Sequence, residues 1–164
     1  MAFDLSFENS IVRKGATYLS FCLLLLSASC KAESVRHEPA IAVINGNQFL
    51  KALHIDEDYE KARGLADTQL QESVTANDLR QLVEKIKTER GALKTLKADS
   101  YLMVQGRGME LFYLGTYDRG QLYHRLVVVG DASSGYEVSG VWYSTDAYPE
   151  QPLRRKFGQE IFVQ

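Results

Sequence analysis

Gln121-Leu122-Tyr123-His124-Arg125-Leu126-Val127-Val128-Val129 sets Leu122, His124, Leu126 and Val128 on one side of an extended chain, because successive side chains of a strand point to opposite faces. Three more segments, Leu93–Gln105, Met109–Tyr117 and Tyr136–Thr145, share this period and are rich in Tyr, Val, Leu and Phe. The separators Gly106-Arg107-Gly108, Asp118-Arg119-Gly120 and Asp131-Ala132-Ser133-Ser134-Gly135 are short and carry glycine. Links of that length join antiparallel neighbours, since parallel strands need a long crossover. The C-terminal half therefore reads as a four-stranded antiparallel meander.

Before Gly91 the period is 3.6. Thr75 and Asp78 form a capping box, Val74 can staple onto Leu79, and Leu79, Leu82, Val83 and Ile86 share one face. Gly91 follows the basic turn of Lys87 and Arg90 as a stop, which predicts a helix over Ala76–Arg90. Acidic Asp56-Glu57-Asp58 opens a second helix, continued by Tyr59, Ala62, Leu65, Ala66 and Leu70. A first helix spans Pro39 to about Leu53, with Asn45-Gly46-Asn47 read as an interruption of its apolar face. Three helices written before a meander cover one of its faces, so the fold class is α+β, with the helices on one face of a curved four-stranded sheet.

The first 29 residues have a different character. Arg13 and Lys14 precede an uncharged run from Gly15 to Ser29 that contains Leu23-Leu24-Leu25-Leu26 and ends in Ser27-Ala28-Ser29-Cys30. The order is that of a signal peptide, and the apolar part is shorter than the roughly 20 residues a spanning helix needs. Its end resembles the lipobox of bacterial lipoproteins, with Ala28 and Ser29 before the cysteine and Ser27 where leucine is usual. The resemblance implies cleavage after Ser29 and lipidation of Cys30. Cys22 is removed with the leader, so Cys30 is the sole thiol left, and an acyl anchor accounts for it. Lys31 follows in place of the aspartate associated with inner-membrane retention, which, in a cell with two membranes, favours the periplasmic face of the outer one over the inner membrane. Residues 30–38 read as a polar tether and 39–164 as one domain with a basic C-terminal tail.

Net charge is −2, and removal of the leader takes Arg13, Lys14, Asp4 and Glu8 together and leaves it unchanged. That balance disfavours nucleic acid as a partner, which calls for a basic face. Asp58-Tyr59-Glu60-Lys61-Ala62-Arg63, the Thr75-Ala76-Asn77-Asp78-Leu79 helix start, Glu89-Arg90-Gly91 and Gly135-Tyr136-Glu137-Val138-Ser139-Gly140-Val141-Trp142 resemble small bacterial envelope domains of the cystatin-like or nuclear-transport-factor-2-like superfamily. The resemblance implies helices packed into a curved sheet around a cone-shaped cavity. It carries over no catalytic residue.

His124 is the foremost polar candidate for such a cavity, with Tyr113 or Tyr136 nearby and Trp142 on the helix side of its strand by alternation with Tyr136, Val138 and Gly140. Shielding without a carboxylate predicts a pKa below about 6.5. His37 in the tether and His54 at a helix end lack metal-ligand spacing, Gly106-Arg107-Gly108 opens no helix to cradle a phosphate, and Asp56-Glu57-Asp58 lacks the spacing of a calcium loop. No metal or cofactor is implied. Pro149 and Pro152 break any continuing strand, and Leu153-Arg154-Arg155-Lys156-Phe157 then reads as an exposed basic tail, solvated or with Arg154, Arg155 and Lys156 as candidate contacts to anionic headgroups or an acidic partner, and Ile161-Phe162-Val163 as a short edge strand. Two functions follow: a noncatalytic, lipid-anchored envelope module that binds a protein or a small apolar ligand, or a small enzyme with His124 and tyrosines in its cavity.

Overall fold

The structure is a computed structural model that describes residues 36–104, 106 and 108–164. The expected leader, Cys30, Lys31 and Arg107 lie outside the described residues. The fold is α+β: helices α1 (Pro39–His54), α2 (Tyr59–Gly64), α3 (Thr68–Ser73) and α4 (Ala76–Arg90) precede strands β1 (Leu93–Val104), β2 (Gly108–Tyr117), β3 (Gly120–Asp131), β4 (Gly135–Ser144) and β5 (Arg155–Phe162). The strands form one open antiparallel sheet in the order β4-β3-β2-β1-β5.

The capping box of α4 forms as its sequence predicts, with the Thr75 hydroxyl accepting from the Asp78 amide and the Thr75 amide donating to the Asp78 carboxylate. Gly91 ends the helix at φ 81°, a left-handed conformation that glycine adopts without penalty. The second helix is divided rather than continuous. Leu65–Asp67 leaves the helical path because its backbone pairs with the edge of β4: the Asp67 amide donates to Val138 O at 2.9 Å and the Val138 amide to Leu65 O at 3.1 Å. Asp58 and Asp67 then cap the two halves separately.

Asn45-Gly46-Asn47 does not interrupt α1. A Cβ at Gly46 would lie 2.6 Å from the Tyr113 hydroxyl and 2.8 Å from Leu111 Cδ1, so the glycine is there because the helix presses onto the sheet. Ala42, Val43, Phe49, Leu50 and Leu53 of α1 meet Met109, Leu111, Tyr113, Leu126 and Val128 of the inner face in the main core.

Two bulges decide which side chains face that core. In β4, Val128 pairs with Val138 but Val127 pairs with Gly140, so Ser139 is an extra residue. An extra residue inverts the alternation beyond it. Tyr136 and Val138 face inward before the bulge and Val141 and Tyr143 after it, while Trp142, expected against the helices, points outward and is 45% exposed. In β1, Asp99 is extra between Ala98 and Ser100, which turns Ala98 to the core and Ser100 to the outer face.

The expected basic tail is instead the start of a fifth strand. Lys156 pairs with Ser100 and Arg155 with Tyr101, and the pairing resumes at Ile161 with Ala98 and Phe162 with Lys97. The fourth strand already stops at Ser144, ahead of Pro149 and Pro152, and the chain then turns back across the outer face and rejoins the sheet at β1, where a free edge offers unpaired backbone groups.

Candidate functional site

Two places in the domain gather chemistry-bearing side chains. The first lies between the helices and the inner face of the sheet. The last turn of α1 drives His54 inward to 7% exposure, and the alternation of β3 puts His124 beside it at 0%. The two rings meet edge to face with centroids 5.2 Å apart. His54 Nε2 is hydrogen-bonded to the Tyr143 hydroxyl at 3.2 Å, and His124 Nε2 to the Tyr117 hydroxyl at 3.3 Å. The Tyr143 ring stands edge-on to His124 at 4.8 Å, and the Tyr117 ring stacks on it at 6.3 Å.

Every group in this cluster is held neutral. Burial, with a smaller contribution from the Lys87 charge, pushes His54 down to about 4. Burial, then the neighbouring His54, holds His124 well below the ordinary histidine value, the direction its aliphatic strand neighbours predict. Burial raises the phenols of Tyr117 and Tyr143 far above their usual range. Imidazoles this weak as bases, facing phenols this reluctant to ionise, are poorly matched to general acid–base work near neutral pH. A cavity of about 230 Å³ reaches His54 and Tyr117 from the surface, and the ion pair of Lys87 with Glu57 stands at its lining.

The second place is the outer face. Residues 145–154 fold back over Phe112, whose ring takes Tyr148 at 5.7 Å between centroids. Arg154 completes the cover: its Nε donates to Ser100 Oγ at 2.7 Å, one terminal nitrogen to the Tyr148 carbonyl at 3.1 Å and the other to Asp99 Oδ2 at 3.1 Å. Beside this cover is a pocket of about 310 Å³ with Phe112, Leu114, Tyr123 and Tyr148 as its apolar walls and Asp99, Glu150 and Lys156 adding charge. Arg125 lies 4.7 Å from the Trp142 ring on the same face, and the register Trp142–Arg125–Phe112 forms one row across three strands.

The residues expected around His124 are therefore redistributed. Tyr113 is its register partner, but the Tyr113 hydroxyl runs up to Gly46 and has no hydrogen-bond partner. Tyr136 accepts from the Glu38 amide at 3.0 Å and lies 3.4 Å from His37 Nδ1, at the far end of the strand. Trp142 is on the opposite face. Arg154 spends its donors inside the domain, while Arg155 and Lys156 remain exposed on β5. The sequence reading places His54 only at a helix end, and does not single out Tyr117 or Tyr143. Tyr117 was reachable by extending the inward alternation Met109, Leu111, Tyr113 along β2, whereas Tyr143 is hidden by the Ser139 bulge and His54 by its position at a helix end. Among the described residues no group of three metal-ligating side chains converges.

Comparison with protein-family models finds no match, and neither do comparisons with curated proteins and with solved structures.

Proposed function

We propose that this chain is a lipid-anchored protein of a bacterial cell envelope, on the periplasmic side of the outer membrane, whose folded domain is a noncatalytic binding module. The observation that carries the reading is the outer-face pocket: a concave, aromatic-walled surface of about 310 Å³ built on paired strands, with Arg154 and Phe112 locking its cover in place. Rigid aromatics on a sheet give contact area at low entropic cost. The tryptophan that alternation assigns to the interior is spent on this side, next to Arg125. Cys30, following Ala28-Ser29, supplies the anchor, and the helices-then-meander order is the ground for grouping the domain with the cystatin-like or nuclear-transport-factor-2-like folds. Lys156 and Arg155 are the exposed cations through which an acidic partner or headgroup would be met.

A small enzyme built on the inner cluster is the second reading, favoured by the cavity of about 230 Å³ that leads to His54 and Tyr117. The two readings place the ligand on opposite faces of the sheet. The test is site-specific photocrosslinking in membranes of cells making the full-length protein, with benzoylphenylalanine at Tyr123 in the outer pocket or at Glu84 on the exposed side of α4. A discrete adduct from position 123 that disappears in Tyr148→Ala supports the binding module. Equal labelling from both positions, or none from position 123, overturns it.

A further inference from the structure

The inner cluster sits under a turn that is itself under tension. Ile55–Asp58 connects α1 to α2, and within it Glu57 adopts φ 53°, the left-handed region that a side-chain-bearing residue enters at a cost. Backbone hydrogen bonds from the Asp56 amide to Lys51 O and from the Asp58 amide to Ala52 O flank it, and two side chains hold its carboxylate: Lys87 Nζ of α4 donates to it at 2.5 Å and the Tyr59 hydroxyl at 3.4 Å. Directly beneath is the cavity of about 230 Å³ that reaches His54 and Tyr117. His54 and His124 therefore lie edge to face behind one strained turn, with the cavity reaching His54, the outer member of the pair.

We propose that the His54–His124 pair is an acid-operated latch that releases the Ile55–Asp58 turn and the end of α1 from α4 and the sheet. The charged and titratable groups facing the pair come from every element around it. Lys87 of α4 and Glu57 of the turn line the cavity beside His54, Tyr117 projects from β2, and Tyr143 from β4. Among the described residues neither imidazole is hydrogen-bonded to a carboxylate, and the one acid at the cavity, Glu57, is already paired with Lys87. A proton taken up by His54 puts a cation beside Lys87, and one on His124 puts a second cation 5.2 Å from the first ring. The closed arrangement accommodates neither; opening the strained turn lets water solvate both.

The linkage has a definite sign. Each imidazole binds a proton near 6.5 when open to solvent, and His54 does so only near 4 when closed. The open form thus holds more protons, and the closed form is favoured above about pH 6.5 and loses ground as pH falls toward 4. One proton taken up on opening changes the opening equilibrium by about tenfold per pH unit, and two by about a hundredfold.

The experiment is amide hydrogen exchange on the full-length protein in detergent micelles between pH 6.5 and 4.5, corrected for intrinsic rates, with the two imidazoles followed by NMR. Protection at Ile55, Asp56 and Asp58 should fall by close to a hundredfold per pH unit in the steep region, and by about tenfold in His54→Gln or His124→Gln. Amides of Leu111 and Leu126 in the central strands should hold their protection over the same range. Parallel loss at the central strands would mean global unfolding and would overturn the latch. So would an unchanged slope in both variants. The wild-type titration needs no variant to fold: an imidazole of either histidine titrating at 6.5 or above in the closed protein would equally end the proposal.

Discussion

The Arg154 guanidinium carbon lies 3.9 Å over the ring of Phe112, and an aromatic on the outer face of the sheet is 2% exposed as a result. A cation in the last connection thus covers an aromatic ring on the side of the sheet that the helices do not reach. Hydrogen bonds from a charged donor are worth about 1.5–3 kcal/mol each, less where a partner is exposed. Arg154→Ala should therefore cost about 2–3 kcal/mol in urea unfolding, and Arg154→Lys most of that, because an ammonium cannot donate in three fixed directions to Ser100, Asp99 and Tyr148 at once. Equal stability of wild type and Arg154→Ala would show that the 145–154 cover is not pinned by this side chain.

Trp142→Ala tests the Ser139 bulge. Facing the helices, the indole would be worth about 3–5 kcal/mol; on the outer face it contributes chiefly its contact with Arg125, about 0.5–1 kcal/mol for an exposed cation–π pair. A loss below about 1 kcal/mol in urea is expected. A core-sized loss would place the bulge elsewhere in the strand.

Gly46→Ala sets helix propensity against packing. Alanine favours a helix interior by about 1 kcal/mol over glycine, but the new methyl collides with the Tyr113 hydroxyl and Leu111 Cδ1. Overpacking of that kind costs about 1–3 kcal/mol, so the substitution should be net destabilising by thermal or urea unfolding. Tyr113→Phe removes a buried hydroxyl that has no partner and should be neutral or slightly stabilising alone. In the double variant it should recover part of the Gly46→Ala loss.

Cys30→Ala tests the anchor. The variant should accumulate as an unprocessed, unlipidated precursor, and mass spectrometry of the wild-type protein should find an acylated Cys30 at the mature terminus. A terminus at any other residue would remove the membrane from the proposed function.

What the sequence determined by itself was everything governed by local rules. The capping box at Thr75 and Asp78, the stop at Gly91, the period of two after it and the glycine-bearing turns are short-range, so α+β, the long helix and the four-strand meander were legible, as was the inward, shielded position of His124 among aliphatic neighbours. What the tertiary structure alone decided was everything that depends on a partner far away in the chain. Backbone hydrogen bonds from β4 split the second helix at Leu65–Asp67, the free edge of β1 recruited Arg155–Phe162 as a fifth strand, and close contact with Tyr113 explains a glycine that locally looks like a break. The Ser139 bulge did the most to defeat pattern reading: one unpaired residue inverts every side chain beyond it, sending Trp142 out and Tyr143 in. His54 reached His124 through the same long-range packing, because burial against a sheet 70 residues downstream leaves no mark on the residues around a helix end.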